Sequence, residues 1–165
     1  MKILKRIYYK VWFVFFENKI IRIGQFIFLC HKKNFQLRNA KLFGFEKVFL
    51  NLSKLTNNQT VFVDVGANIG IASIILSKKS KYCLSFEPNL CSFNRLVKNI
   101  EINNLNNVFP LRYCLYNETG FKDFTNTDYQ AINRLIDLNT PDGQVFSRKE
   151  GSTKVATNTF DNLIT

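Results

Sequence analysis

The chain has 165 residues, enough for one domain with its own hydrophobic core. Its hydrophobic fraction of 46% is typical of a globular protein and excludes general disorder. The four cysteines form no CxxC pair and only one histidine is present, so no metal site is expected. Isolated cysteines at apolar positions predict reduced thiols, which favours a cytoplasmic location.

The formal net charge of +11 is concentrated near the N-terminus. Residues 1–33 contain eight Lys or Arg and one acid, Glu17, and so carry +7 of the total. Charged residues such as Lys10 and Lys19 interrupt every apolar window of this region, so a membrane-spanning helix is not expected. The region also lacks the pattern of a signal peptide, because no small-residue cleavage site follows a compact apolar core.

Residues 1–42 are predicted to form a basic, aromatic-rich helical segment, because Ile3, Leu4 and Ile7 begin a series of apolar residues at helical spacing. Two interpretations of residues 1–33 remain open. The segment lies peripherally at the inner face of a membrane with its lysines on anionic headgroups, or it covers the following domain or a protein partner. Nucleic acid is not the expected partner, because no RNA- or DNA-binding motif accompanies the charge. A nucleic-acid methyltransferase is a weaker alternative that only the charge supports.

Residues 43–165 alternate predicted helices and strands, which indicates an α/β domain. The first predicted elements are a helix over 43–55, a strand over 60–65, a buried helix over 69–77 and a strand over 82–86. A helix capped by Asn89 follows, and then strands over 108–115 and 121–124. A polar loop over 126–152 and a last strand over 153–160 complete the series. Right-handed crossovers between parallel strands predict the order 3-2-1 for the first three strands.

Two acids mark the ends of the first two strands. Asp64 is followed by Gly66 and Gly70, and Glu87 ends the second strand before Pro88. The carboxyl ends of parallel strands meet at one edge of the sheet, so these groups are predicted to line one pocket. The spacing is not G-x-G-x-x-G and the chain has no P-loop, so a ligand without phosphates is favoured over a dinucleotide.

S-adenosylmethionine, a nucleoside joined to a zwitterionic amino acid, satisfies these requirements. Glu87 is predicted to accept the two ribose hydroxyls, and Asp64 to orient the ligand's ammonium directly or through water. Gly66 would let the methionine part pass close to the backbone. The competing interpretation is an α/β protein in which both acids only cap the local backbone.

The motifs at 62–70, 86–88, 99–108 and 114–120 together resemble the FkbM family of methyltransferases. The resemblance implies a Rossmann-like class I sheet that binds S-adenosylmethionine and O-methylates a hydroxyl of a sugar or natural product, so the expected acceptor is a small molecule or glycan. The positions that correspond to the family's cofactor-binding residues are Asp64, Gly66, Ala67, Asn68, Gly70 and Glu87, with Asn117 in a segment expected near the adenine.

Residues 159–164 resemble the family segment that precedes a fourth strand, and the sequence ends at Thr165. The expectation is therefore a partial FkbM-type domain over 43–165 that contains the cofactor half, with the edge of its first strand exposed and no assignable catalytic residue. A degenerate gene product, a split enzyme completed by another polypeptide and a shortened binding protein compete as explanations. The alternative function is a non-catalytic remnant that binds S-adenosylmethionine, a membrane or a partner.

Overall fold

The computed structural model describes residues 18–31, 45–125, 135–136 and 152–164. The first described element is an antiparallel hairpin of β1 (Asn18–Ile23) and β2 (Phe26–His31). The helical prediction is therefore wrong for these residues, while its apolar series over 3–15 lies outside the described part of the chain. The physical reason is that Gly24 adopts a left-handed conformation with φ 56°, which allows a two-residue turn between the strands.

The hairpin precedes a three-stranded parallel sheet with helices between its strands. The elements are α1 (Phe45–Leu52), β3 (Val61–Val65), α2 (Ile71–Leu76), β4 (Tyr82–Phe86), α3 (Leu90–Ile102) and β5 (Val108–Leu111). The strand order is β3-β4-β5, which confirms the predicted 3-2-1 arrangement. Asn89 caps α3 as predicted, because its side chain accepts a hydrogen bond from the N–H of Ser92.

A second sheet follows, where a single long third strand was predicted. The chain leaves the parallel sheet after Leu111, and β6 (Cys114–Leu115) pairs instead with the last strand. This sheet also contains β7 (Gly120–Thr125) and β8 (Ser152–Asn158) in the order β6-β8-β7, and α4 (Asp161–Ile164) follows. Most of the predicted loop over 126–152 lies outside the described residues.

The hairpin and the parallel sheet share one hydrophobic core. Phe28 and Cys30 of β2 pack in the same cluster as Ile69, Ile74 and Leu96. Each of these side chains is at least 98% buried. The hairpin is thus part of the unit that contains the candidate cofactor pocket, through contacts with α2 and α3.

The first parallel strand, β3, lies at an edge of its sheet within the described part of the chain. Val61 and Val65 are 49% and 63% exposed, although their sequence pattern is that of a buried strand. Their exposure follows from the edge position, because no described strand pairs with the other side of β3. Among the described residues, no helix has the length and hydropathy needed to cross a membrane.

Candidate cofactor pocket

The two predicted acids lie at the same edge of the parallel sheet. Asp64 is the fourth residue of β3, and Glu87 directly follows β4. These strands are paired in parallel with Asp64 opposite Ser85, so both carboxylates reach the carboxyl ends of adjacent strands. Burial is the main cause that raises the pKa of Glu87, and the negative charge of Asp64 adds to it, which is consistent with two carboxylates at one edge of the sheet.

The turn between β3 and α2, residues 66–70, has an unusual backbone that the sequence explains. Gly66, Asn68 and Gly70 have positive φ angles of 80°, 52° and 85°. Asparagine tolerates this left-handed conformation better than most residues, so Asn68 can stand where a third glycine would otherwise be needed. We call residues 66–70 the glycine turn.

Four backbone N–H groups of the glycine turn have hydrogen-bond acceptors within the protein. Those of Gly66 and Ala67 both donate to the carbonyl oxygen of Phe86 at 2.9 Å, and that of Gly70 donates to the carbonyl of Ala67 at 2.8 Å. The N–H of Asn68 donates to Glu87 Oε2 at 2.7 Å. These four N–H groups are therefore engaged and do not form an open cradle for a phosphate.

Glu87 is buried, with 6% of its surface exposed. Its Oε2 accepts from the N–H of Asn68, and its Oε1 accepts from the N–H of Asn89 at 2.8 Å. Burial raises the pKa of the Glu87 carboxyl above its ordinary value, and the two backbone donors oppose that rise. A carboxylate has about four acceptor sites, so it can accept further hydrogen bonds from ligand hydroxyls.

Asp64 is held by serines that the sequence analysis did not identify. Its Oδ2 accepts from Ser73 twice, from the backbone N–H at 3.1 Å and from Oγ at 2.5 Å. The hydroxyl of Ser85 donates in turn to Ser73 Oγ at 2.7 Å, and both serines are fully buried. Burial raises the pKa of the Asp64 carboxyl, and the hydrogen bonds from Ser73 oppose that rise. Apolar patterning hides such residues, although serine in the first turn of a helix was a usable indication.

The two glycines of the turn face different surroundings. A Cβ built on Gly66 would have no heavy atom within 4 Å, so the space in front of this residue is open. A Cβ built on Gly70 would collide with Cδ1 of Leu96, a fully buried residue of α3. Gly66 therefore leaves room for a ligand, whereas Gly70 allows α2 and α3 to pack closely.

The segment predicted to lie near an adenine is only partly brought to this pocket. Burial raises the pKa of the Cys114 thiol in β6, and the negative charge of Glu87 adds to that rise. Asn117 lies beyond β6 and is exposed. Its contact with the adenine stays a prediction. Phe160, which the sequence analysis did not single out, packs edge-on against Phe86 with ring centroids 6.3 Å apart.

The pocket has the chemistry expected for S-adenosylmethionine. Its two partly desolvated carboxylates favour a ligand that carries positive charge, such as a sulfonium and an ammonium. The open space at Gly66 allows close approach to the backbone, and the engaged N–H groups disfavour a pyrophosphate. Asp64, the glycine turn and Glu87 would hold the cofactor, while the catalytic residue remains unassigned.

Comparison with known proteins identified a methyltransferase with a similar sequence. The tRNA (guanine(37)-N(1))-methyltransferase of Plasmodium vivax (strain Salvador I) is 38% identical over 74 residues. This stretch covers 44% of the chain and 10% of the relative, so the chain spans only a small part of that protein. No family model matches the chain.

Solved structures share the fold. Trm5b from Pyrococcus abyssi is similar with a TM-score of 0.50 and 24% identity, over 58% of this chain and 28% of its own. TYW2 from M. jannaschii, solved in complex with AdoMet, has a TM-score of 0.50 and 26% identity, over 58% of this chain and 42% of its own. The described chain thus has part of the Rossmann-like α/β fold of class I S-adenosylmethionine-dependent methyltransferases.

Proposed function

We propose that this chain provides the cofactor-binding part of an S-adenosylmethionine-dependent methyltransferase. The observation that carries the proposal is that four N–H groups of the glycine turn already have acceptors, beside the buried Glu87, the half-buried Asp64 and an open Gly66. A dinucleotide would need N–H groups directed at its pyrophosphate. A cationic nucleoside without phosphates instead needs carboxylate acceptors and room near the backbone, and the pocket offers both.

Each residue has a distinct part in holding the cofactor. Glu87 accepts the ribose hydroxyls with the acceptor capacity that its two backbone bonds leave over. Gly66 admits the methionine portion, and the carboxylate of Asp64 attracts its ammonium. Bound S-adenosylmethionine supplies an electrophilic methyl group on a sulfonium. The protein contributes by fixing the orientation of that group, since positioning is a large part of such a displacement.

The acceptor that we propose first is a hydroxyl group of a sugar or natural product. The proposal rests on the resemblance of the motifs around Asp64, Glu87 and Cys114 to the FkbM family. Lys78, Lys79 and Lys81 precede β4 and so do not lie at its carboxyl end, where Glu87 lies. Lys81 directly precedes this five-residue strand, so it lies about 20 Å from Glu87 along the strand.

Transfer RNA is the second candidate acceptor. The methyltransferase of Plasmodium vivax that matches this chain is named for its action on tRNA, and the net charge of +11 favours association with a polyanion. This relationship supports a nucleic acid acceptor, for which the sequence alone offers only the charge. The chain covers 10% of that relative.

Isothermal titration calorimetry with S-adenosylmethionine and S-adenosylhomocysteine tests the cofactor proposal on the full chain. Glu87→Gln should weaken binding by about 10- to 100-fold, because hydrogen bonds to a charged group contribute about 1.5–3 kcal/mol. Glu101→Gln is the matched control, since Glu101 is exposed and pairs with Lys98 at 2.9 Å. Equal affinity for Glu87→Gln and the wild type would refute the proposed cofactor site.

The acceptor is tested with S-adenosylmethionine labelled in its methyl group. A hydroxyl acceptor predicts alkali-stable label in a glycan or small-molecule fraction, whereas the second candidate predicts label in tRNA that ribonuclease releases. Cofactor binding without transfer to either fraction would favour the non-catalytic alternative. The proposal also includes a cytoplasmic location, with or without peripheral membrane contact through residues 1–33. Cell fractionation tests it by comparing the amount of the protein in the soluble and membrane fractions.

A further inference from the structure

One buried amide joins the N-terminal hairpin to the glycine turn. Asn99 lies on α3 and is fully buried. Its Oδ1 accepts from the N–H of Leu29 at 2.6 Å, and its Nδ2 donates to the carbonyl of the same residue at 3.2 Å. The same Nδ2 donates to the carbonyl of Ile69 at 2.8 Å. Asn99 is therefore bonded to β2 and to the glycine turn at once.

Asn103, four residues later, forms the same two kinds of hydrogen bond to β2 but none to the glycine turn. Its Oδ1 accepts from the N–H of Ile27 at 2.9 Å, and its Nδ2 donates to the carbonyl of Ile27 at 2.7 Å. Ile27 and Leu29 are two residues apart on β2, so the two amides bind its backbone as a neighbouring strand would. The remaining bond of Asn103 goes to the carbonyl of Asn99 within α3. Both amides dock the hairpin, but only Asn99 reaches the glycine turn.

The carbonyl that Asn99 holds is in a sensitive position. Ile69 lies between Asn68, whose N–H binds Glu87, and Gly70, which has a φ of 85°. A rotation of the peptide group that follows Ile69 would therefore also displace its neighbour Asn68. The N–H of Asn68 orients the carboxylate of Glu87, the residue proposed to bind the ribose. Asn99 itself remains on the protein side of the turn and has no proposed contact with the cofactor.

We propose that Asn99 is a positioning residue through which the hairpin holds the glycine turn in its cofactor-binding conformation. Hairpin docking and cofactor binding then strengthen each other, because coupling between two sites is reciprocal. This inference rests on the proposed function. It also gives the hairpin a role at the pocket, beyond covering the core.

The pair Asn99→Ala and Asn103→Ala separates positioning from simple docking. Each variant removes two hydrogen bonds to the hairpin backbone, but only the first also releases Ile69. We expect Asn99→Ala to weaken S-adenosylmethionine binding by about fivefold, and Asn103→Ala by less than about twofold. Calorimetry on the full chain measures both affinities.

Amide hydrogen exchange without ligand provides the second readout. The N–H groups of Asn68 and Gly70 should exchange faster in Asn99→Ala than in the wild type, and at the wild-type rate in Asn103→Ala. Equal exchange at the turn in both variants would overturn the inference. If Asn99→Ala does not fold, Asn99→Ser is compared with Asn103→Ser, since serine keeps one hydrogen-bonding group.

The two proposals fail in different ways. A wild-type chain that binds no S-adenosylmethionine refutes the proposed function, while the exchange comparison still decides whether Asn99 positions the turn. A wild-type chain that binds, with equal affinity losses in Asn99→Ala and Asn103→Ala, refutes the positioning role and leaves the proposed function standing.

Discussion

Glu87 Oε2 accepts a 2.7 Å hydrogen bond from the backbone N–H of Asn68, a residue nineteen positions earlier in the chain. The bond joins the end of β4 to the glycine turn that follows β3. Because Glu87 Oε1 also accepts from the N–H of Asn89, one carboxylate organises the backbone on both sides of the pocket. The acid proposed to bind ribose therefore also shapes the site that receives it.

This double role predicts that Glu87→Ala lowers stability as well as affinity. The substitution leaves the N–H groups of Asn68 and Asn89 without their acceptor, and an unsatisfied buried donor costs about 1–3 kcal/mol. Glu87→Gln should lose less stability, because its amide oxygen can still accept one of the two bonds. Urea unfolding measures the difference, and Glu101→Ala, at an exposed ion pair, should shift stability by at most about 1 kcal/mol.

The two glycines of the turn should respond differently to alanine. Gly66→Ala introduces a Cβ into open space at a φ of 80°, so we expect a stability loss of about 1–2 kcal/mol with a large loss of cofactor affinity. Gly70→Ala adds a collision with Leu96 to the same backbone penalty and should be the less stable variant. Thermal unfolding and calorimetry test both. Equal unfolding midpoints would contradict the assignment of Gly70 to packing.

Much of the fold could be predicted from local patterns. The parallel strand order followed from alternating strands and helices with right-handed crossovers, and the cap at Asn89 followed from its position after Pro88. The meeting of Asp64 and Glu87 followed from their positions at strand ends. These features depend on short-range chemistry that a sequence displays directly.

The remaining features depend on contacts between distant residues. The apolar spacing over residues 18–31 predicts a helix, whereas the turn at Gly24 and the pairing of β1 with β2 make this region a hairpin. Asn99 lies 70 residues from Leu29, and nothing in the local pattern indicates that pairing. The backbone-capping interpretation of both acids also proved to be part of the structure, since Glu87 and Asp64 each accept from backbone N–H groups.

Cofactor affinity should increase with pH across the acidic range. The pKa values of Asp64 and Glu87 are raised above their ordinary values of 3.8 and 4.5. A bound cation favours the ionised carboxylates, so binding releases protons and strengthens until pH exceeds the raised values. Calorimetry over this window measures the trend. Asp64→Asn should make the affinity depend less on pH. An affinity of the wild type that does not change with pH would contradict the assignment of the two carboxylates to the cofactor site.

The stability of the ligand-free chain should change in the opposite direction. An acid whose pKa is raised on folding holds its proton more tightly in the folded state than in the unfolded state. Its contribution to stability is present below the ordinary pKa and is lost as pH rises through the raised value. Unfolding midpoints of the wild type and Asp64→Asn across this window therefore separate the effect of the carboxyl from that of the ligand.

Ser73 should affect the pKa of the Asp64 carboxyl, to which it donates hydrogen bonds. Burial raises the pKa of Asp64, and the Ser73 hydroxyl and backbone N–H both oppose that rise. Ser73→Ala removes the hydroxyl bond and keeps the backbone bond, so it should raise that pKa further and move the rise in cofactor affinity to higher pH. Ser85→Ala is the comparison, because it removes the donor to Ser73 Oγ and leaves the contact with Asp64 intact. A larger pH shift for Ser85→Ala than for Ser73→Ala would contradict this order of contacts.

The cysteines provide a chemical test of the electrostatics at Glu87. Cys91 is exposed and should be alkylated first, whereas Cys83 is fully buried with a pKa of about 11 and should react last. Burial raises the pKa of the Cys114 thiol and the charge of Glu87 adds to that rise, so Glu87→Gln should speed the alkylation of Cys114 and leave that of Cys91 unchanged. Mass spectrometry of peptides from timed iodoacetamide reactions measures each rate. An unchanged rate at Cys114 would mean that its thiol does not face the carboxylate, and the place of β6 beside the pocket would then be wrong.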